Sequence, residues 1–253
     1  MAFNGPVNIS EQDIRTTQAA TQPSGAAWSP SLKFGQIGGI NDGRVYTYSL
    51  NSTVALTAGL TVQAAAIVAN HVARTLSVAQ AIGSTTVVVP LGNTAATLGQ
   101  YSGGWLTVVS GTGSGYNYRV KTNTAASGNG TTTVTLVDPI LVATDSTSIV
   151  DLVPHSNSAT IVTPTSTPKN VIGVSDIAVP ASNYFWAQTQ GVAAVFTDSG
   201  GGIAANTGII PSTTVAGQVI VEAASTITQR LGYTTRATTT SQAQLVNLSI
   251  TNQ

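Results

Sequence analysis

From Gly83 to Gly130 the chain is cut every few residues by a glycine-rich turn. Gly83-Ser84 precedes the run Thr85–Val89, and Pro90-Leu91-Gly92-Asn93 breaks it. Tyr101-Ser102-Gly103-Gly104 precedes Trp105–Val109, the loop Gly111–Gly115 precedes Tyr116–Lys121, and Ser127–Gly130 precedes Thr131–Val137. Ser148–Val153 closes the block. Runs of this length suit strands better than helices of three turns, and their short, regular spacing predicts a small barrel or sandwich.

The remainder follows the same style. Asn41-Asp42-Gly43 is a turn signal ahead of the alternating run Arg44–Leu50. Past a Pro-containing linker at 154–170, further strands are expected at 171–174, 184–189, 192–197, 209–210, 218–223 and 245–250. Residues 61–80 hold the one stretch with helix formers, Ala64–Ala66 and Ala69, yet no cap frames it; it reads as a helix or an extended connector. The class predicted is all-β, with two barrel- or sandwich-like domains. One is assembled from 36–80 and 154–253, and the second is inserted at 81–153.

Residues 1–35 read as an extended arm, with turn and polyproline chemistry at Gly5-Pro6, Pro23-Ser24-Gly25 and Ser29-Pro30. The arm nevertheless holds Phe3, Ile9, Ile14, Trp28 and Phe34. A solvated tail has little use for such side chains, so these five are the candidate contacts to a neighbouring subunit. The competing reading is an end that folds back on its own domain. Deleting residues 1–30 is expected to leave a folded protein that no longer binds its partner strongly.

Composition excludes several functions. Nine basic and nine acidic residues make 7% of the chain charged, against about 25% in an ordinary soluble domain. Nothing here could neutralise a run of phosphates, so no nucleic-acid partner is expected, and no polybasic membrane contact either. The polarity comes from 39 threonines and abundant Ser, Asn, Gln and Gly. A neutral surface of this kind favours association. The absence of cysteine removes disulfides and thiolate chemistry. Met1–Pro6 lacks the basic-then-apolar layout of a Sec signal peptide, and Ala58–Ala69 is too short and polar to span a bilayer.

Candidate chemistry is thin. Asp198-Ser199-Gly200-Gly201 looks like the nucleophile loop of chymotrypsin-like proteases, with His71 upstream. Thr197 and Gly202 stand where that family has glycine and proline, and a Gly-rich turn explains the run better. Gly111-x-Gly-x-Gly115 leads into an alternating strand, where a phosphate loop would open a helix. His71 and His155 have no second ligand at i+3 or i+4, and Asp138, Asp145 and Asp151 are better read as turn formers than as a calcium site. Glu11 and Glu222, the only glutamates, make a poor glycosidase pair. Trp105, Trp186, Tyr101, Tyr116, Tyr118 and Tyr184 would suit a sugar platform if exposed together, although alternate members suit a core. No catalytic residue, cofactor or metal is assigned.

Two blocks carry a resemblance. Gly173-Val174, Tyr184-Phe185-Trp186-Ala187-Gln188, Gly191, the small-residue run Val192–Val195 and Ala216-Gly217 resemble a segment of tailed-bacteriophage virion proteins. Tyr101-x-Gly-Gly-x-Leu-x-Val108, Gly113-x-Gly115, Tyr118-x-Val120 and Leu136-x-Asp138-Pro139 are similar to phage structural proteins. The resemblance spans residues 36–253 and carries no catalytic residues. It implies a capsid decoration (cement) protein that binds and stabilises the major capsid protein lattice from outside. It also implies self-association, as a homotrimer, and a place on the virion surface after synthesis in the host cytoplasm. The alternative from another class is a receptor- or glycan-binding module of a tail fibre or tail tip.

Overall fold

The computed structural model describes residues 6–19, 32–166, 170–198, 202–222, 229–237 and 242–250. The fold is all-β. The chain forms two compact units, one made of the residues up to Ala65 together with those from Ser156, the other of Ala66–His155. The border expected after residue 80 falls after Ala65, because Arg74-Thr75 pairs with Val150 and Ile149 and Leu76 is buried in the second unit's core.

In chain order the first unit opens with β1 (Val7–Asn8), helix α1 (Glu11–Ile14) and β2 (Gln18–Ala19). It continues with β3 (Ile37–Gly39), β4 (Val45–Leu50) and β5 (Leu60–Ala64). The second unit holds β6 (Arg74–Thr75), β7 (Thr86–Pro90), β8 (Trp105–Ser110), β9 (Asn117–Asn123), β10 (Thr131–Leu136) and β11 (Ile149–Val153). The chain returns to the first unit with β12 (Thr160–Val162), β13 (Val171–Ser175), β14 (Asn183–Phe196), β15 (Gly208–Pro211), β16 (Val219–Val221), β17 (Gly232–Thr234) and β18 (Ala243–Ser249). The stretch at 61–80 is strand, connector and a single 3-10 turn at Ala69–His71. The linker at 154–170 contains β12, paired with β5 between its prolines.

β14 is the spine of the first unit. Two strands expected at 184–189 and 192–197 are one strand of 14 residues, which carries Gly191 through at φ +85°. One edge pairs with β4 from Tyr184 to Gln190, with a bulge between Gln188 and Gln190. The other edge is shared by β2 at Asn183 and Tyr184, β13 at Ala187 and Gln188, and β18 from Gln190 to Phe196. Alternation sends successive side chains to opposite faces. Phe185 and Ala187 therefore enter one core with Leu56, Val62, Ile172 and Val179, while Trp186 enters another with Tyr46 and Tyr48. A third core forms under β18, from Val195, Val246, Leu248 and residues of β13, β15 and β16.

The second unit is one long hairpin rolled on itself. Outward from the Gly111–Gly115 loop, Thr107 faces Asn117, Trp105 faces Arg119, Ala96 faces Ala126, Pro90 faces Thr131, Gln80 faces Thr144 and Thr75 faces Ile149. The sequence repeats Asn-Thr-Ala-Ala at 93–96 and 123–126, the two places that the Ala96–Ala126 bridge joins. Rolling then lays β11 on β8 and β9 on β10, giving the sheet order β6-β11-β8-β9-β10-β7. Inward members of each strand, among them Val87, Leu106, Val108, Val120, Val134 and Leu152, build its core. At Gly111, with φ +76°, a Cβ would lie 1.9 Å from the Thr147 carbonyl oxygen, so only glycine lets the loop come this close.

The first and last strands of this order are joined by a side chain. Arg74 on β6 donates from Nε to the Pro90 carbonyl at 3.0 Å and from Nη2 to the Leu91 carbonyl at 3.2 Å. Hydrogen bonds from a charged donor contribute about 1.5–3 kcal/mol. Arg74→Met, which keeps the apolar stem, is expected to cost the second unit roughly 2 kcal/mol in urea unfolding. A loss under 0.5 kcal/mol would mean that the strands close without it.

Candidate functional site

The arm is the first candidate. Ser10 starts α1 with a capping box: its hydroxyl accepts from the Asp13 amide at 3.2 Å, and the Asp13 carboxylate accepts from the Ser10 amide at 2.8 Å. The spacing Ser-x-x-Asp carried this signal in the sequence and the arm reading missed it. The turn aims Ile14 at the sheet, and Ile9 precedes it on the same side; both are buried, with Tyr46, Tyr48 and Trp186. Phe34 packs near Tyr184, with ring centroids 6.1 Å apart. Three of the five candidate partner contacts thus lie against their own unit, while Phe3 and Trp28 fall outside the described residues. β1 adds to β3 as a parallel strand, and β2 adds to the start of β14. Deleting residues 1–30 would therefore strip two strands, a helix and two core side chains from the first unit, so the arm is part of the fold that its deletion was expected to leave intact.

Gly38 makes room for this docking. A Cβ there would lie 2.8 Å from Ile9 Cδ1 and 2.8 Å from Trp186 Cζ3. A chain of polar contacts lines the same place. Arg44 pairs with Glu11 of the arm and, at 2.7 Å, with Asp42. Its Nη1 donates to the Tyr46 hydroxyl at 3.0 Å, and that hydroxyl donates to Asp176 Oδ2 at 2.9 Å. Burial raises the Asp176 carboxyl above the usual range, against the lowering effect of the Tyr46 hydrogen bond and the Arg44 charge. Burial, then the Asp176 charge, raises the Tyr46 phenol. Glu11 is half exposed, so its pair with Arg44 contributes about 0–1 kcal/mol, against roughly 1.5–3 kcal/mol for each buried isoleucine. The apolar anchors hold the arm and the ion pair orients it.

The aromatic candidates divide. Tyr101 and Tyr118 are buried in the second unit, and Trp186 is buried in the first, where Tyr184 packs beside it. Trp105 and Tyr116 remain exposed. The Arg119 guanidinium lies 5.5 Å from the Trp105 ring centroid, and Tyr116 stacks on Tyr118 at 6.3 Å. The six side chains form no single platform. Nearby, burial and then the Arg119 charge push His155 down to about 4.

The catalytic lookalikes resolve into structural roles. His71 is fully buried, with Nε2 on the Thr94 carbonyl at 2.8 Å and Nδ1 on the Tyr101 hydroxyl. A carbonyl only accepts, so Nε2 donates to Thr94, and Nδ1 is already taken up by the Tyr101 hydroxyl. The ring has no free base to offer. Ser199 lies outside the described residues, and Asp198 accepts from the Ser212 and Thr214 hydroxyls, which hold it below the usual range. Asp145 caps the Thr112 and Thr147 hydroxyls, Asp151 accepts from the Ala73 amide, and Asp138 is exposed. Among the described residues no group of three or more His, Cys, Asp or Glu could hold a metal ion. No helix among them is long and apolar enough to cross a membrane.

A second surface was not read from sequence. On β14, β18 and β17 the outward residues are Val192, Ala194, Leu245, Asn247, Ser249 and Tyr233, all exposed. Register places Val192 beside Asn247, Asn247 beside Tyr233, and Ala194 beside Leu245. No charged residue falls within these strands, and the pair Arg230–Glu222 lies at the rim, with Arg230 5.3 Å from the Tyr233 ring centroid. An exposed, uncharged face that carries Val192, Leu245 and Tyr233 is a candidate interaction surface. The signal was present in the alternation Gln-Leu-Val-Asn-Leu-Ser at 244–249, where both faces hold leucine or valine.

Ile14→Ala is expected to cost about 2–4 kcal/mol and to shift Trp186 emission to the red in a chain whose other tryptophans are phenylalanine. Unchanged emission would mean that the helix does not cover Trp186. Asp176→Asn keeps an acceptor for Tyr46 and removes a buried charge. A carboxyl raised on folding costs stability while ionised, and that cost fades as pH falls through its folded value. The variant should therefore be more stable by about 1 kcal/mol at pH 7, with the gain vanishing toward pH 4; thermal melts against pH measure it, and a constant difference would refute the cause. No family model, curated protein or solved structure matches the chain.

Proposed function

We propose that the chain is a structural virion protein of a tailed bacteriophage, a decoration protein that binds the outside of the major capsid protein lattice as a homotrimer and stabilises the head. The observation that carries this reading is the uncharged outward face of β14, β18 and β17, with Leu245, Val192 and Tyr233 in adjoining rows. A lattice-binding protein needs a broad neutral face whose many modest contacts do not weaken with salt. The phage-like motifs support it from another side. Tyr184–Gln188 and Val192–Val195 lie on β14, the strand to which β2, β4, β13 and β18 all pair, and Tyr101–Val108 lies in and before β8. His71, Asp145, Asp151 and Asp198 are engaged in structural hydrogen bonds, which fits a binding role.

Trp105, with Arg119 against its ring, favours the second reading, a glycan- or receptor-binding module. Cryo-electron microscopy of the particle that carries the chain separates the two. Icosahedral density at threefold or quasi-threefold positions of the shell is expected, with the β14–β18–β17 face toward it. Density confined to the tail would overturn the decoration reading and bring the Trp105 surface forward, to be tested on a glycan array.

A further inference from the structure

The segment 6–19 meets the rest of its unit as a separate ligand would. It adds β1 to the edge strand β3 in parallel, a pairing that no tight turn can make. It then inserts Ile9 and Ile14 beside Tyr46, Tyr48 and Trp186, pairs Glu11 with Arg44, and adds β2 to Asn183 and Tyr184. Asn183 Nδ2 donates to the Thr17 hydroxyl at 3.2 Å. These receiving groups belong to β3, β4, β14 or the turn before β4, and Leu32 and Ile40 pack against the same cluster. The groove is completed by an absence, since Gly38 leaves the space that Ile9 fills. Twelve residues, 20–31, separate Ala19 from Leu32 in sequence. A chain of that length can reach as far as about 40 Å when extended, so the segment can fill the groove of its own copy or of an adjacent one.

We propose that residues 6–19 exchange between copies of this chain, the arm of one copy occupying the groove of another. The contacts are the same in both arrangements, so the balance is set by effective concentration alone: the copy's own groove wins in dilute solution, and a neighbour's groove competes where copies are crowded. The partner is a second copy of the chain, and the proposal stands apart from the virion reading.

The absence of cysteine makes the test clean. Asn8 and Gly39 are register partners on β1 and β3; Asn8 is exposed, and a Cβ on Gly39 meets nothing within 4 Å. Neighbouring strands lie within disulfide reach. Full-length Asn8→Cys and Gly39→Cys chains, tagged to differ in size, are refolded together at rising concentration, oxidised and run on a non-reducing gel. Exchange predicts a reducible heterodimer of the two sizes, several-fold more abundant than the homodimers that each variant forms alone. The double variant should go from an intrachain bond when dilute to interchain species when concentrated. Heterodimer no more abundant than those homodimers, with intrachain bonds alone in the double variant at every concentration, would overturn the proposal. A double variant that forms no bond would show that β1 does not lie on β3 and would overturn it as well.

Discussion

The first unit depends on the backbone pairing of a single strand. β14 is long enough to be shared: β4 takes one edge, and β2, β13 and β18 divide the other among them. A strand in that position has little room for a change of register, because a slip of one residue would exchange Phe185 and Trp186 between two cores. The bulge at Gln188–Gln190 and the left-handed Gly191 accommodate this sharing. They let the strand bend between the part that faces the arm and the part that carries β18.

The second unit solves the same problem by symmetry of pairing. Each half of a hairpin finds its partner at a matching distance from the loop, and Arg74, with Asn70 and His71 just before it, ties the ends of the rolled sheet. Close backbone approaches replace bulky contacts at the turns, most severely where Gly111 meets Thr147. The polar threonines on the outer faces cost little there, since β-branched side chains suit a pleated surface whether or not they are buried.

Much of this was legible from alternation and turns. The strands of residues 81–153 were placed within a residue or two, because turn residues, mostly glycine up to Gly130, separate them and each has a clean inward face. Gly191 read as a break, although an isolated glycine inside a strand pattern also signals a bulge, and the pairing with β4 has one just before it. β12 was hidden among prolines, and its partner β5 lies far off in sequence. The arm misled for a related reason. Ile9 and Ile14 are apolar in a Pro- and Gly-rich setting, and only their long-range neighbours Tyr46, Tyr48 and Trp186 decide where they go. The sugar-platform idea dissolved because alternation buries Tyr118 beside the exposed Tyr116, and because the set is divided between two units. The β14–β18–β17 face escaped notice since it exists only once three distant segments are in register.

The rolled hairpin also bears on how the chain gets folded. Its incoming and outgoing segments are clasped where the Ala73 amide meets Asp151 and β6 meets β11. Once the second unit has formed, the first unit experiences it as a short closed loop, not as a long flexible excursion between β5 and β12. The entropy of bringing those two strands together falls accordingly, since closure cost grows with the length of free chain. An early-folding insert would then act as a scaffold for the discontinuous unit around it, shortening the effective separation of its most distant contacts.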